Sequence, residues 1–173
     1  MTRPLLFLDV DGVLNPFDGP CPAGFVEHDL FPGEEPIRID PGHGAWITEL
    51  AETFDVTWAT SWNEDANLVL APLLGITALP VLTMPPVPFH PNAKVPLVAA
   101  LARHRPTAWI DEAHTHEART WRDSRAAPTI LVTADPAVGL TRAYVDQLLA
   151  WAAALSRQLP ATARRPAPPR RSG

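Results

Sequence analysis

Two aspartates separated by one residue carry the strongest chemical signal in the sequence. Asp9 and Asp11 stand in the segment LDVDGVL, residues 8–14, at the end of a short apolar run. Residues two apart in an extended chain project from the same side, and Gly12 allows the backbone to turn sharply after them. Neighbouring buried carboxylates repel one another unless a cation lies between them, and oxygen ligands favour Mg²⁺ over zinc. A plain Asx turn that closes a strand is the alternative interpretation.

A single lysine is the second unusual feature. Lys94 is the only lysine among 14 basic residues, and all the others are arginine. A compact ammonium and a planar guanidinium are not interchangeable at an anion-binding site. A solvent-exposed lysine at the start of a helix is the alternative, but helix N-termini favour anions. We therefore expect Lys94 to act on an anionic group.

Hydroxyl and carboxylate residues also occur where later strands are predicted to end. Thr60 closes the segment VTWAT, and Asp111 follows AWI. In this order the residues resemble the four motifs of the haloacid dehalogenase-like (HAD) superfamily of phosphohydrolases. Asp9 and Asp11 match the first motif, Thr60 the second, Lys94 the third and Asp111 the fourth. The resemblance extends from residue 5 to about residue 135.

The resemblance implies a role for each matched residue. Asp9 would be the nucleophile and would form an aspartyl-phosphate, while Asp11 would protonate the leaving oxygen and then activate water. Lys94 would neutralise charge, and Thr60 would donate its hydroxyl to a phosphoryl oxygen. Asp111, Asp9 and the main-chain carbonyl of Asp11 would hold Mg²⁺.

Three neighbouring residues leave alternatives open. Ser61 directly follows Thr60, so either hydroxyl could serve the second motif, although the strand alternation favours Thr60. Glu112 stands where many members of the superfamily have a second aspartate, and it would either reach the metal through water or face solvent. Trp62 would either line a substrate pocket or pack under a nearby flap.

Other polar and aromatic residues are assigned structural roles. His114 and His116 flank the fourth motif, but they have no cysteine or carboxylate at zinc spacing, so we expect them at the surface of an early helix. Asp135 stands at the end of the fourth predicted strand, where it would either border the site or form an ordinary turn with Pro136. Five tryptophans at strand or helix-face spacing are predicted to lie in the core: Trp46, Trp58, Trp109, Trp121 and Trp151.

Alternating strand and helix patterns predict a doubly wound α/β fold, with a parallel sheet and helices on both faces. Strands are predicted at residues 5–10, 56–60, 107–110 and 129–133, and helices after Asp40-Pro41 and at residues 61–74, 94–104, 116–125 and 141–155. A flap or irregular hairpin is predicted at residues 16–40. Ligands of such folds bind beyond the carboxyl ends of the strands, where the candidate residues collect.

Composition and charge divide the chain into two parts. The 173 residues are 46% hydrophobic and 19% charged, which predicts one domain at residues 1–156. That part carries 19 acidic and nine basic residues, so binding of long nucleic acid is not expected. Residues 157–173 hold five arginines and no acid, and they are predicted to be a disordered Arg/Pro-rich tail.

Cysteine content and hydropathy limit the cellular context. One cysteine, Cys21, excludes an intramolecular disulfide framework and a multi-cysteine zinc site. No apolar run approaches the roughly 18 residues of a membrane span, so we expect no membrane partner. A cytoplasmic location is predicted.

The spacing of the motifs bears on the substrate. Gaps of 48 residues between Asp11 and Thr60 and of 33 between Thr60 and Lys94 are too short for an independent domain. The resemblance therefore implies a capless or minimally capped phosphatase that is Mg²⁺-dependent. A small phosphomonoester is the expected substrate, although an open site also permits a larger one. A phosphotransferase and a non-catalytic binding or regulatory module are the alternatives.

Overall fold

The computed structural model of the chain describes residues 2–158. Arg157 and Gln158 belong to the last helix, so the predicted tail does not begin at residue 157. The rest of that predicted tail, residues 159–173, lies outside the described residues. Within residues 2–158, no helix has both the length and the apolar character needed to cross a membrane.

Four of the strands form one parallel sheet, and the other two form an antiparallel hairpin. The strands are β1 (Leu5–Leu8), β2 (Val26–His28), β3 (Ile37–Ile39), β4 (Asp55–Trp58), β5 (Thr107–Asp111) and β6 (Thr129–Thr133). The order in the sheet is β4-β1-β5-β6, and every neighbouring pair is parallel. The predicted α/β class is therefore confirmed.

Helices cover both faces of the sheet. They are α1 (His43–Thr53), α2 (Ala71–Leu74), α3 (Lys94–Ala102), α4 (His116–Ser124) and α5 (Arg142–Gln158). The side-chain period of two in β1 sends Leu6 and Leu8 into one core with α1 and α5, and Leu5 and Phe7 into the other with α3 and α4. All four side chains are buried, because helices cover both sides of this central strand.

The predicted flap at residues 16–40 contains the β2–β3 hairpin. Between β1 and β4 the chain forms this hairpin and then α1. Arg38 of β3 ties the hairpin to the preceding loop, because its guanidinium donates to the carbonyl of Gly19 at 2.8 Å and contacts Glu27 of β2 at 3.4 Å. Ile37 and Ile39 of β3 are buried in the core that α1 and α5 share with the sheet, so the hairpin packs against the main domain.

The predicted helix at residues 61–74 is wrong in part. Residues 61–64 form turns, a π-helical turn covers Ala66–Leu70, and the α-helix that follows, α2, is only four residues long. Pro72 has no backbone N–H, and the N–H of Ala71 bonds five residues back to the carbonyl of Ala66. Gly75 ends this segment in the left-handed conformation, as predicted, with φ +66°.

The predicted core tryptophans divide into two groups. Trp58 and Trp109 are fully buried, which agrees with the prediction. Trp46, Trp121 and Trp151 are half-buried, and they pack against the core from its edge. A large indole at the rim of a core covers apolar surface without being enclosed.

Candidate active site

The candidate catalytic residues converge at the carboxyl edge of the parallel sheet. Asp9 follows β1, Asp111 ends the neighbouring β5, and Lys94 is the first residue of α3. The backbone N–H of Asp9 bonds to the carbonyl of Ile110 at 3.2 Å, which extends the pairing of the two strands. The three residues are only 3%, 1% and 7% exposed, respectively. Parallel pairing of β1 with β5 thus brings together two carboxylates that are about a hundred residues apart in the chain.

Lys94 bridges the two buried carboxylates. Its Nζ donates to Oδ2 of Asp111 at 2.7 Å and to Oδ2 of Asp9. Burial lowers the pKa of Lys94, but the charges of both carboxylates outweigh burial and raise that pKa above its ordinary value. The ammonium therefore stays charged and places a positive charge beside the Asp9 carboxylate.

Asp9 and Asp111 titrate in opposite directions although they share Lys94. Burial and the negative charge of Asp111 raise the pKa of the Asp9 carboxyl. Burial also acts to raise the pKa of Asp111, but the charge and hydrogen bond of Lys94 outweigh it and lower that pKa. Further donors to Asp111 are the indole N–H of Trp109 at 3.1 Å and the N–H of Ala113 at 2.9 Å.

A group of three carboxylates offers a set of oxygen ligands for a cation. Asp9, Asp111 and Glu112 each provide an oxygen, and these oxygens lie within 4.8 Å of one another. Oε2 of Glu112 is buried and has no hydrogen-bond partner within residues 2–158. Burial and the charge of Asp111 raise the pKa of Glu112 to about 7. An unpartnered oxygen in an all-carboxylate cluster fits a hard cation such as Mg²⁺.

Gly12 allows Glu112 to reach this cluster. A Cβ atom at position 12 would lie 2.6 Å from Cγ of Glu112, and the φ of Gly12 is +71°. Both the space and the left-handed backbone therefore require glycine. Glu112 was predicted either to reach the metal through water or to face solvent. Its Oε2 is buried, so the side chain does not simply face solvent.

Asp11 has different surroundings from the cluster. Its Oδ1 accepts from Nδ2 of Asn15 at 2.9 Å, and its Oδ2 accepts from the indole N–H of Trp62 at 3.0 Å. Asn15 was not predicted as a site residue, and its only sequence signal is its position four residues after Asp11. Trp62 was predicted either to line a pocket or to pack under the flap, and its indole contacts both Asp11 and Phe31 of the flap.

An open cavity of about 330 Å³ lies over these groups. Its polar side includes Asp9, Asp11, Lys94 and Glu112, and an apolar rim includes Val87, Pro88 and Phe89. Such a volume is at the small end of the usual range for ligand pockets. The cavity therefore has room for one phosphate and part of the group attached to it.

The two candidate hydroxyls of the second motif have different environments. Ser61 lines the cavity, together with Asp9 and Asp11. Thr60 is fully buried, and its Oγ1 lies 3.4 Å from the backbone N–H of Trp62. β4 ends at Trp58, so the strand alternation that favoured Thr60 does not extend to this position.

His114 is not at the surface, so that prediction is wrong, whereas His116 is exposed as expected. The His114 ring is 5% exposed, its Nδ1 lies 3.0 Å from Oγ1 of Thr133, and its edge faces Trp109. Burial lowers the pKa of His114 to about 4. Thr115 caps α4 through the N–H of Ala118, so His114 precedes the helix and packs inward. Thr115, a residue type that often caps a helix, was the sequence signal that α4 begins after His114.

Comparison with known proteins identifies the family of the chain. Residues 5–145 match the family described as the HAD domain in Swiss Army Knife RNA repair proteins. No curated protein and no solved structure matches the chain. The matched segment includes all the residues of the cluster and extends into α5. The chain belongs to the family of HAD domains found in Swiss Army Knife RNA repair proteins, within a superfamily of phosphohydrolase type.

Proposed function

We propose that the protein is a Mg²⁺-dependent phosphomonoester hydrolase that acts through an aspartyl-phosphate on Asp9. The observation that carries the proposal is the buried Lys94 ammonium between Asp9 and Asp111, at the floor of an open cavity. A nucleophilic carboxylate needs a neighbouring positive charge if an anionic phosphate is to approach it. Lys94 supplies that charge from a buried position at the start of α3.

The first half of the reaction transfers the phosphoryl group to the enzyme. A carboxylate oxygen of Asp9 attacks phosphorus while the bond from phosphorus to the ester oxygen breaks. The carboxyl group of Asp11, which lines the same cavity, gives its proton to the departing oxygen. An alcohol leaves, and Asp9 carries the phosphate as a mixed anhydride.

The second half returns the enzyme to its starting state. The Asp11 carboxylate takes a proton from water, and the water oxygen attacks phosphorus. The bond from phosphorus to the Asp9 oxygen breaks, which releases inorganic phosphate and leaves Asp11 protonated. Ser61, which faces the cavity, would donate its hydroxyl to a phosphoryl oxygen, in place of the buried Thr60.

We propose that Asp9, Asp111 and Glu112 hold Mg²⁺, together with the main-chain carbonyl of Asp11. When bound, the ion neutralises the charge of the phosphoryl group and polarises its oxygens. The three carboxylates and one lysine leave an excess of negative charge in a buried cluster. A divalent cation would offset that excess, which supports this ligand set.

The family description supports a phosphate at the end of an RNA chain as the substrate. The cavity is open and has room for one phosphate with part of its attached group. Lys94 is the single basic residue among the described residues that line the cavity. Because long nucleic acid needs a run of basic contacts, we propose that only the terminal nucleotide is held here.

Acid-quenched labelling with a ³²P-labelled phosphomonoester tests the mechanism. In Asp9→Asn the amide is a poor nucleophile, so no labelled protein is expected. In Asp11→Asn an aryl phosphate, whose leaving group needs little protonation, should still phosphorylate Asp9. The label should then persist, because the group that activates water is missing. Label on another residue, or full turnover without Asp9, would refute the proposal.

A substrate panel separates the alternatives. Phosphate release with Mg²⁺ should occur from p-nitrophenyl phosphate and from oligoribonucleotides that carry a terminal phosphate, and EDTA should abolish it. A product that carries the phosphate on an added alcohol would identify a phosphotransferase. Binding of a phosphorylated ligand with neither label nor release would favour the binding-module alternative.

A further inference from the structure

The contacts of the Asp11 carboxylate point to a role for the β2–β3 hairpin. We propose that Asn15 and Trp62 are positioning residues for Asp11, and that the hairpin controls the reaction by holding both of them. This inference rests on the proposed function, since it assigns Asp11 to proton transfer. It concerns contacts that none of the four motifs includes.

Asn15 connects Asp11 directly to the hairpin. Its Nδ2 donates to Asp11 at 2.9 Å, and its Oδ1 accepts the backbone N–H of Arg38 of β3 at 2.9 Å. Because the backbone N–H can only donate, it determines that the oxygen end of the amide faces β3 and the nitrogen end faces Asp11. The side chain of Asn15 is only 7% exposed, so solvent does not compete for these contacts.

Trp62 forms the second connection. Its indole N–H donates to the other oxygen of Asp11 at 3.0 Å, and its ring meets Phe31 edge to face with centroids 5.2 Å apart. Phe31 lies in the loop between β2 and β3, and it is half-buried against the main core. The same hairpin thus supports both donors to Asp11, at two separate points.

These two contacts fix the Asp11 side chain at both of its carboxyl oxygens. With p-nitrophenyl phosphate the leaving group needs little protonation, so phosphorylation of Asp9 depends little on where the Asp11 side chain lies. The second half of the reaction needs Asp11 at a fixed place beside the attacking water. Loss of either contact should therefore slow hydrolysis of the aspartyl-phosphate more than its formation.

Pre-steady-state kinetics with p-nitrophenyl phosphate test this inference. Trp62→Phe keeps an aromatic ring against Phe31 but removes the N–H donor. We expect its kcat to fall about tenfold, as for loss of one hydrogen bond to a charged group, with KM changed less than about twofold. A burst of about one p-nitrophenolate per active site should appear, since dephosphorylation becomes slower than phosphorylation.

Variants of the hairpin keep the test independent of the folding of any one protein. Phe31→Ala should lower kcat and enlarge the burst in the same way, and Phe31→Tyr, which keeps the ring, should restore both toward wild type. Val26→Ala is the matched control, because Val26 lies on β2 and is 45% exposed. We expect Val26→Ala to leave kcat and the burst unchanged.

Two results would overturn the inference. A fall in kcat in Trp62→Phe and Phe31→Ala without a larger burst would assign the loss to phosphorylation or to general destabilisation. Wild-type kinetics in both variants would remove the hairpin from the mechanism while leaving the proposed function intact. Failure of the proposed function is distinguishable, because the wild-type protein would then form no phosphoenzyme at all.

Discussion

Replacing Lys94 with methionine should destabilise the metal-free protein much more than a typical charge removal. The side chains of Lys94, Asp9 and Asp111 are 8%, 5% and 1% exposed, so the substitution leaves two buried carboxylates without their shared cation. Removing one partner of a buried ion pair costs about 3–5 kcal/mol. Methionine has a similar length and fills the same space, so little of this loss comes from a cavity.

Equilibrium urea unfolding measures this loss. At pH 8 in EDTA we expect the free energy of unfolding to fall by about 3–5 kcal/mol in Lys94→Met. Without Lys94 the folded-state pKa values of both carboxyls rise, so stability is regained as pH falls and the deficit should be smaller at pH 5.5. Added Mg²⁺ should also reduce the deficit, because the cation replaces part of the missing charge.

An exposed ion pair supplies the matched control. Arg142 contacts Glu49 across α5 and α1, with side chains that are 47% and 38% exposed. Arg142→Met should cost no more than about 1 kcal/mol, since solvent screens exposed pairs. If Lys94→Met in EDTA at pH 8 cost as little as this control, the buried bridge would be refuted. Turnover of Lys94→Met should fall about a hundredfold or more, and near-normal turnover would refute the assignment of Lys94 to catalysis.

Other predictions concern the metal site and the core. Burial raises the pKa of Glu112 to about 7, so below that pH Mg²⁺ must displace the proton of this carboxyl. The Mg²⁺ affinity measured by calorimetry should therefore fall as the pH drops below 7. Glu112→Gln should make the Mg²⁺ affinity depend less on pH. Gly12→Ala should weaken Mg²⁺ binding in the same titration, since its Cβ would displace Glu112; unchanged affinity would contradict this placement. In urea unfolding, Leu148→Ala should lower the free energy of unfolding by about 2–5 kcal/mol, because Leu148 is fully buried. Leu68 is 72% exposed, so Leu68→Ala should change the free energy of unfolding by less than about 0.5 kcal/mol.

The main features of the site could be predicted because they depend on local rules. Apolar runs that end in Asp9 and Asp111 mark the carboxyl ends of β1 and β5, and parallel strands bring such ends to one edge of a sheet. The rarity of lysine singled out Lys94. The alternation of strands and helices predicted the fold class for the same reason, since each pattern reflects burial on one or two faces.

The mistakes of prediction occur where long-range contacts override local pattern. A histidine after a charged segment reads as a surface residue, yet His114 packs against Trp109 of β5 and Thr133 of β6. The π-helical turn at Ala66–Leu70 is an exception with a local cause, because Pro72 has no backbone N–H and interrupts a sequence that is otherwise typical of a helix. Thr60 is favoured by strand alternation, but β4 ends before it and Ser61 faces the cavity.

The sequence by itself determined the fold class and the identity of the chemical groups, because periodicity and residue type are local properties of the chain; it placed the ends of β1 and β4 two residues too late. Only the tertiary structure decided which groups meet. The pairing of β1 with β5 sets Asp111 beside Asp9, and the start of α3 delivers Lys94 between them. The fold of the hairpin similarly brings Phe31 to Trp62, although the two residues are 31 positions apart in the chain. Such contacts depend on the order of strands in the sheet and on the path of the loops, which no local pattern encodes.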